Sequence, residues 1–476
     1  AISRRVTNGK MNAIQFLASA AKKLTIATRG GEFSATSVGE FVAPLDMAIL
    51  PVAERGAAHA MPVTVGANIV FLERNKRSIR ELGQFASPTT GYLEEIPRDI
   101  GILAEHILYG GATEMAYQQD PDSIIWVPRA DGTLVGFTRE ADQKVVGAHR
   151  HEIGGTYQTG IAVVESVAVI PSPDQDQDQL WLVVKRTVNG ATVRHVEFME
   201  DTFRPGLTSA SATEAKVRAL EPAFFVDSGL SLDAPLTITA VTRANPGVVT
   251  AASHGFSNGD RVRIRDVLGM TELNHVSFKV ASVATNTFEL TTLADVDVNT
   301  SAYTVYSAGG KVREEVTAIS GLSHLEGETV QVLADGAAHT DEVVSSGAIA
   351  LTRNASIVHV GLPFITFGES QRFFGGGTAG GDQGRTMRIQ SVVVRLHDTV
   401  GIEVGVGPGS TDMETILFRE GTDNLDESPP LFTGDKHVGV NGGWTTEVTV
   451  SFRQTQALPM TVLAVYPRAE SGELDE

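Results

Sequence analysis

Four short segments of this chain repeat one pattern, in which two apolar runs flank a turn. Asp-Gly and Asn-Gly pairs reach the positive φ angles that tight hairpin turns need, so each segment predicts a β-hairpin. The two clearest hairpins lie within residues 114–199. The four segments are residues 23–35, 68–82, 123–138 and 180–199, and their turns fall at Gly30-Gly31, Asn75-Lys76, Asp131-Gly132 and Asn189-Gly190.

An arginine precedes each of these turns, at offsets of 45, 55 and 57 residues along the chain. A hairpin in every unit of roughly 40–55 residues is typical of β-propeller blades. The alternative is an irregular all-β domain whose hairpins resemble one another by chance, and we favour the propeller. The arginines are Arg29, Arg74, Arg129 and Arg186.

The remaining sequence is also rich in short strands, and the fold class that it predicts is all-β. β-Propeller-like hairpin repeats occupy residues 1–204, which begin at Ala1 inside apparently ordered sequence, so we expect further residues upstream. Residues 205–234 form a connector. Short β-branched strands between turn signals predict a small inserted β-barrel over residues 235–313, and residues 314–476 form a C-terminal region of β-barrel or β-sandwich platform domains.

Clear helix signals are rare in this chain. Residues 100–108 follow Pro97 and carry apolar side chains at helical spacing, which predicts one helix. No apolar run reaches the roughly 18 residues that a membrane-spanning helix needs, so we expect no such segment.

Composition narrows the possible functions. The chain has 57 acidic and 38 basic residues, a net charge of −19, and only 6% aromatic residues. It lacks the basic surface and the stacking platforms of a nucleic-acid-binding protein, but an acidic surface can lie beside DNA without holding it. Solubility alone would also explain such a charge. The absence of cysteine excludes disulfides, zinc–thiolate sites and cysteine nucleophiles.

The glycine-rich stretch 373–384 has the composition of a phosphate-binding loop but not its pattern. Such a loop needs a helix N-terminus and a following Gly-Lys-Ser/Thr, and neither is present. We interpret the stretch as a loop that moves or lines a passage. Its candidate residues are Gly375, Gly376, Gly377, Gly380 and Gly381.

Two other clusters invite a metal-binding interpretation. Asp174, Asp176 and Asp178 alternate in an acidic surface loop, but the glycine and distant glutamate of an EF-hand are missing. The need to keep a surface loop solvated explains these three acids equally well. The other role that we consider for them is in the wall of a channel. His149 and His151 would share one face of a strand. A metal needs further ligands, so we interpret them as partly solvated residues at a strand end, and we predict no metal, cofactor or catalytic residue.

A resemblance to a known family covers most of the chain outside the insert. Residues 8–33, 116–152 and 164–198 resemble the tail tubular protein B, or nozzle, class of short-tailed phage tail proteins, and residues 321–336 and 356–364 continue the likeness. The resemblance implies a non-enzymatic subunit of a six-fold ring around a DNA channel in the virion tail. It also implies a tail adaptor ring and tail fibres as partners, and genomic DNA that passes without sequence-specific binding.

Residues 244–290 resemble another family, the first catalytic cysteine half-domain (FCCH) of ubiquitin-activating enzymes. That enzyme forms a thioester on cysteine, and this chain has none. We therefore interpret the insert as a borrowed β-scaffold, exposed on the ring and placed to touch fibres or the host surface.

These patterns lead to one hypothesis and two alternatives. The hypothesis is a structural virion protein whose acidic lumen lets DNA slide outward during ejection. The first alternative is a module that binds host glycans through an exposed aromatic platform. Only Trp126, Trp181 and Trp444 could supply its indole rings, and we expect the first two to be buried in hairpin strands. The second alternative is a glycan-degrading tail enzyme, which a sugar-release assay would reveal.

Overall fold

The computed structural model describes residues 13–20, 23–37, 47–86, 91–140, 143–208, 211–373, 376–377, 380–381, 384–409, 411–421, 423 and 427–472. These residues form 39 strands, one six-residue α-helix and three short 3-10 helices, so the all-β prediction is confirmed. No helix in these ranges is long and apolar enough to cross a membrane. Contacts divide the chain into two compact units, residues 1–201 and 202–476.

The first unit consists mainly of four antiparallel sheets, each built from strands that are consecutive in the chain. Sheet 1 holds β1 (Ile14–Ala20), β2 (Lys23–Thr28), β3 (Glu32–Ser37) and β4 (Met47–Ala53). Sheet 2 holds β5 (Val63–Val65), β6 (Asn68–Leu72), β7 (Ile79–Ala86) and β8 (Leu93–Asp99). Sheet 3 holds β9 (Ala116–Gln118), β10 (Ile124–Pro128), β11 (Leu134–Glu140) and β12 (Val145–His151). After the short ladder of β13 (Thr156–Tyr157) and β14 (Gly160–Ile161), sheet 4 holds β15 (Val163–Pro171), β16 (Asp178–Val188) and β17 (Ala191–Phe198).

Neighbouring sheets of this unit pack face to face in chain order, and each joint has its own apolar core. Phe16 of sheet 1 meets Phe71 of sheet 2, with ring centroids 5.8 Å apart. Residues of sheets 2 and 3 share a second core, and residues of sheets 3 and 4 share a third. Sheets 1 to 3 have four strands each and sheet 4 has three, and their stacking in chain order is consistent with the predicted propeller-like hairpin repeats.

All four predicted hairpins are present, with turns at the predicted positions. Asn189 (φ 48°) and Gly190 (φ 74°) both have positive φ, as the two-residue turn requires. The helix predicted at residues 100–108 is present only as a short 3-10 helix at Ile102–Leu108, which is interrupted at Ala104, and Pro97 lies in β8 rather than in its first turn. Ile100, Ile107 and Leu108 are buried in the core shared by sheets 2 and 3, whereas Ile102 and Leu103 are 70% and 96% exposed.

The second unit begins with a short helix and contains a closed six-stranded barrel, which confirms the predicted small inserted β-barrel. The helix is α1 (Thr213–Arg218), and β18 (Asp227–Leu232) follows it. The barrel strands are β19 (Leu236–Val241), β20 (Val248–Ala251), β21 (Arg261–Leu268), β22 (Val276–Ala281), β23 (Thr287–Thr291) and β24 (Ala308–Glu314), with a 3-10 helix at Thr271–Leu273. They close in the order β19-β20-β23-β22-β21-β24 around one apolar core.

Antiparallel sheets make up the rest of the second unit. One sheet has the strand order β18-β30-β26-β27, and β28 also pairs with β26. In the chain, the barrel is inserted between β18 and the other strands of this sheet, which we call the host sheet. Its later strands are β26 (Thr329–Ala334), β27 (Ala337–Ala338), β28 (Glu342–Val343) and β30 (Val358–Leu362), and β25 (Val316–Ser320) pairs with β29 (Ala348–Ala355) beside a 3-10 helix at Ser323–Leu325. The last strands are β31 (Thr366–Glu369), β32 (Gly376–Gly377), β33 (Gly380–Gly381), β34 (Met387–Thr399), β35 (Glu403–Val406), β36 (Met413–Thr415), β37 (Phe432–Gly439), β38 (Val450–Gln454) and β39 (Val462–Ser471).

Candidate functional site

Strand β21 of the barrel carries arginine at three alternate positions, Arg261, Arg263 and Arg265. Successive side chains of a strand point to opposite faces, so the residues between them turn inward. Val262 and Ile264 are accordingly fully buried in the barrel core. The three arginines, which we call the arginine ladder, lie on the outside of the barrel.

The arginine ladder is paired with carboxylates that lie outside the barrel strands. Nη2 of Arg261 is 3.1 Å from Oε2 of Glu315, the residue directly after β24. Nη1 of Arg263 is 3.8 Å from Oδ2 of Asp335, in the β26–β27 turn. The ladder therefore joins the barrel to the sheet that receives it.

Arg265 is the deepest member of the ladder, with only 2% of its surface exposed. Its guanidinium contacts the carboxylate of Glu221 and lies 3.4 Å from both Oδ1 of Asp335 and Oγ of Ser356. Burial raises the pKa of Glu221, and the adjacent guanidinium opposes that shift. A buried charge is costly unless it is paired, so this contact fixes where the barrel sits on its host sheet.

Asp335 is the acid that the barrel and the host sheet share. It opens a tight turn with Gly336, in which both residues have positive φ. Besides facing two arginines, its carboxylate accepts hydrogen bonds from Oγ of Ser356 at 2.7 Å and from the backbone N–H of Ile357 at 3.0 Å. These hydrogen bonds hold the carboxylate in place from the side of the sheet, so its contact with the arginines of the barrel is rigid.

A second feature, in the first unit, is that sheet 4 buries one of its faces and exposes much of the other. The β16 side chains that point to sheet 3 are buried, namely Leu180, Leu182 and Val184. On the opposite face, the register places Trp181 beside Phe198 and Val183 beside Val196. Val196 is 69% exposed and Phe198 is 45% exposed. We call this surface the open face of sheet 4.

The open face has an apolar end and a charged end. The rings of Trp181 and Phe198 are 5.5 Å apart at the apolar end. At the other end, Glu165 lies between two cations, with Nε of Arg194 at 2.6 Å and Nζ of Lys185 at 2.8 Å. Arg194 and then Lys185 lower the pKa of Glu165 to about 2. The charged groups therefore satisfy one another, and the apolar end remains available for a contact.

The structure separates the three aspartates that the sequence groups together. Asp174 and Asp176 are exposed in the turn between β15 and β16. Asp178 instead begins β16, and its Oδ2 accepts hydrogen bonds from the backbone N–H groups of Gln119 at 2.8 Å and Asp120 at 3.3 Å. The role of this loop in a channel stays a prediction.

Four of the five candidate glycines form a small ladder. Gly376 pairs with Gly381 and Gly377 pairs with Gly380, as strands β32 and β33. Gly375 lies outside the described residues. Whether this segment lines a passage stays a prediction.

His149 and His151 share a face of β12, as strand alternation predicts. Their ring centroids are 4.9 Å apart, and both rings pack against Trp126, at 5.7 and 5.2 Å. Burial lowers the pKa of His151 to about 3 and also lowers the pKa of His149, so both rings are neutral near pH 7. Within the described ranges, no three His, Asp or Glu groups are placed to hold a metal ion. The pair packs beside the tryptophan that faces sheet 4.

The repeated arginines are not equivalent, although their spacing is regular. Arg29 and Arg74 are exposed, whereas Arg186 is fully buried and donates from Nε to the carbonyl of Gly154 at 2.8 Å. The expected burial of tryptophan is correct for Trp126, which is 3% exposed. It is wrong for Trp181, which is only partly buried because it points to the open face.

Sequence reasoning missed the arginine ladder and its acids. The signal was present as the alternation RVRIR, in which apolar residues take one face of a strand and arginines the other. Its partners could not be found in the same way, because Asp335 lies 70 residues from Arg265.

Comparison with known proteins identifies one part of the chain. Residues 244–316 match the family described as the Ubiquitin-activating enzyme E1 FCCH domain. The match runs from just before β20 into β25, and so covers five of the six barrel strands. The resemblance of the insert to this domain is thereby confirmed. No curated protein matches the chain.

Proposed function

We propose that this protein is a structural virion component, one of six subunits of a ring-shaped tail nozzle through which the genome of a short-tailed phage leaves. The observation that carries the proposal is the stack of four antiparallel sheets in the first unit. Residues 8–33, 116–152 and 164–198, which resemble the nozzle class, fall largely within this stack. The resemblance implies a propeller, and sheets that pack in chain order support it.

The work of such a subunit is mechanical, so its parts must keep their positions while DNA passes. Antiparallel sheets with separate apolar cores give a stiff wall. The arginine ladder adds a fixed attachment for the inserted barrel, because moving the barrel would expose or unpair Arg265. A barrel held in this way is suited to presenting a constant surface to tail fibres.

Charge supports a wall that DNA does not adhere to. Residues 202–476 carry 33 acidic and 19 basic side chains, whereas residues 1–201 carry 24 and 19. Most of the negative charge therefore belongs to the second unit. We assign the wall of the channel to this unit, because like charge repels the phosphate backbone and lets the duplex slide.

Electron microscopy of the purified protein, alone and with the adaptor ring protein of the same phage, tests the proposal. Six-fold rings with a central hole wide enough for duplex DNA are expected in at least the second sample. Particles that stay monomeric in both samples would contradict the ring and the nozzle together.

The proposed repulsion between the lumen and DNA has its own test, in which the electron microscopy map of the ring identifies the residues that line the lumen. Acids at the lumen, changed to lysine, should slow DNA ejection from assembled virions, and the effect should shrink as salt screens the charges. The same number of acid-to-lysine changes on the outer wall is the matched control. Equal ejection rates for both sets would refute the sliding role while leaving the ring intact.

A host-glycan-binding module is the second candidate, and exposed aromatic rings in the second unit favour it. Trp444 is 52% exposed and Tyr466 is 50% exposed. The guanidinium of Arg395 lies 5.8 Å from the Tyr466 ring centroid and is bound to Asp435 through two hydrogen bonds. An apolar ring beside paired polar groups suits a sugar. Tyr466→Ala should then reduce retention on host polysaccharide, while Tyr109→Ala in the first unit should not; no retention of the unaltered protein would exclude this candidate.

A further inference from the structure

Two of the four repeated arginines have no partner of opposite charge. Arg129 is paired with Asp131 in the sheet 3 turn, and Arg186 is buried. Arg29 and Arg74, which precede the turns of sheets 1 and 2, are exposed. Neither of them forms an ion pair within the part of the chain that the structure describes. The fold therefore leaves their charges available for a contact with another molecule.

Three backbone segments meet beside these two arginines, and Gly56 lies at the meeting point. The N–H of Arg74 donates to the carbonyl of Gly56 at 3.0 Å, and the N–H of Ala57 donates to the carbonyl of Thr28 at 2.9 Å. Gly56 has a φ of 79°. A Cβ there would lie 2.2 Å from the carbonyl oxygen of Arg29 and 3.4 Å from Cδ of Arg74. The turns of sheets 1 and 2 and the linker between these sheets thus form one continuous surface.

This surface carries five exposed cations, and we call it the basic turn surface. Among the described residues, none of the five has a carboxylate at ion-pair distance. Arg77 lies against the ring of Tyr109, with its guanidinium carbon 5.7 Å from the ring centroid, and this contact leaves the N–H groups at the edge of the guanidinium able to donate. The five cations are Arg29, Arg55, Arg74, Lys76 and Arg77.

The acids nearby do not cancel this charge. The three segments contain two acids, Glu54 and Glu73, and Oε2 of Glu73 is 2.7 Å from Nε of Arg80, which neutralises it. Glu32 also lies beside the linker, but it is fully buried and burial raises its pKa to about 7. The basic turn surface is therefore positive, although the whole chain has a net charge of −19. Net charge is an average over the chain, so composition predicted no basic surface where the structure has one.

The position of the basic turn surface keeps it accessible. The sheets of the first unit bury their faces against one another, whereas the turns lie at the ends of the strands. A further sheet at either end of the stack would cover a face and leave these turns uncovered.

We infer that the basic turn surface binds the phosphate backbone of duplex DNA without reading its sequence. Four of its five cations are arginines, whose planar forks of N–H donors match the oxygens of a phosphate. The three segments offer no large apolar side chain, and a protein partner would need an apolar core for its interface. Phosphate contacts need only charge and hydrogen-bond donors. The inference rests on the proposed function only for the source of the DNA, which in a nozzle is the genome passing the acidic wall.

Fluorescence anisotropy of a labelled duplex of mixed sequence, titrated with the full chain, tests this binding. If all five cations contact phosphates, the affinity should fall about 10²–10³-fold between about 50 and 200 mM salt. Arg74→Ala/Arg77→Ala should reduce the slope of log Kobs against log salt by about 2. Lys144→Ala/Arg243→Ala removes two exposed cations elsewhere in the chain and should leave the slope unchanged. Equal losses in the two variants, or no binding by the unaltered protein, would overturn the inference.

Two further measurements separate DNA binding from a folding defect and from a contact with an acidic protein surface. Arg74→Lys/Arg77→Lys keeps both charges and should keep the slope, and its loss would show that the variants act through the fold, which would overturn the inference. Sedimentation at low salt without DNA should show no self-association that Arg74→Ala/Arg77→Ala removes. Such association would assign the surface to an acidic region of a second copy and overturn the DNA. Rings in electron micrographs without DNA binding would refute this inference and leave the nozzle standing, whereas DNA binding without rings would do the reverse.

Discussion

Replacement of Arg265 by alanine is expected to loosen the inserted barrel from its host sheet. The guanidinium is 2% exposed and sits between Glu221 and Asp335. Its removal leaves two carboxylates close together without their shared cation, and removal of one partner of a buried ion pair typically costs about 3–5 kcal/mol. We expect a loss of that size in the stability of the second unit.

Two further variants show whether charge or packing is responsible. Arg265→Met keeps most of the side-chain volume but not the charge, so it should remain strongly destabilising. Adding Glu221→Gln removes one of the two unpaired acids, and the double variant should recover part of the loss because the two sites are directly coupled. Arg395→Ala breaks an exposed pair with Asp435 and is the matched control, for which no measurable change is expected.

Hydrogen exchange measured by mass spectrometry is the appropriate assay, because a chain of two compact units need not unfold in one step. Peptides from barrel strands β19–β24 and from the β26–β27 turn should exchange much faster in Arg265→Ala, while peptides from residues 1–201 should not change. If Arg265→Ala accelerates exchange in these peptides no more than Arg395→Ala does, the arginine ladder does not hold the barrel, and the reasoning is wrong.

Three other substitutions test features of the first unit. Burial raises the pKa of Glu32 from 4.5 to about 7, so between these pH values the folded protein holds a proton that the unfolded chain releases. Thermal unfolding measured from pH 4.5 to pH 7 should therefore show the free energy of unfolding falling by about 3 kcal/mol as the pH rises, and Glu32→Gln should remove that fall. A Cβ at Gly136 would lie 2.3 Å from Nε2 of His149, so Gly136→Ala should cost roughly 1–3 kcal/mol in urea unfolding, and an unchanged midpoint would show that the ring moves aside freely. Asp178→Ala should cost about 1 kcal/mol through two lost hydrogen bonds, whereas Asp176→Ala, at an exposed position, should match the unaltered protein in the same assay.

Local signals in the sequence were sufficient for the hairpins and the barrel. Turn pairs predicted the four hairpins, and β-branched runs between turn signals predicted the barrel over residues 235–313, whose strands run from Leu236 to Glu314. In these cases, turn residues and alternating apolar side chains specify the strand without reference to distant residues. At residues 100–108 the spacing located a helix but not its type, which is a 3-10 helix interrupted at Ala104.

Positions that depend on distant residues could not be predicted. Trp126 and Trp181 occur in similar hairpin strands, and their different exposure depends on whether another sheet follows. The same limit applies to Arg186 and Arg265, since an arginine in a strand is ordinarily exposed. Both are buried because groups from elsewhere in the chain meet them, the carbonyl of Gly154 for the first and the carboxylate of Glu221 for the second.

Buried ion pairs between packed elements of this protein explain how apolar surfaces that could pack in several ways take one fixed alignment. Any two sheets of suitable shape can bury apolar area against each other. A buried carboxylate, however, is stable only in an arrangement that places a cation beside it. Glu81 of sheet 2, 1% exposed, meets Arg139 of sheet 3 at 2.9 Å, and Arg265 has the same role for the barrel. On the open face, Glu165 is already paired within sheet 4. The charges of the open face therefore impose no alignment, whereas the joint between sheets 2 and 3 and the contact of the barrel with its host sheet form only where their paired charges meet.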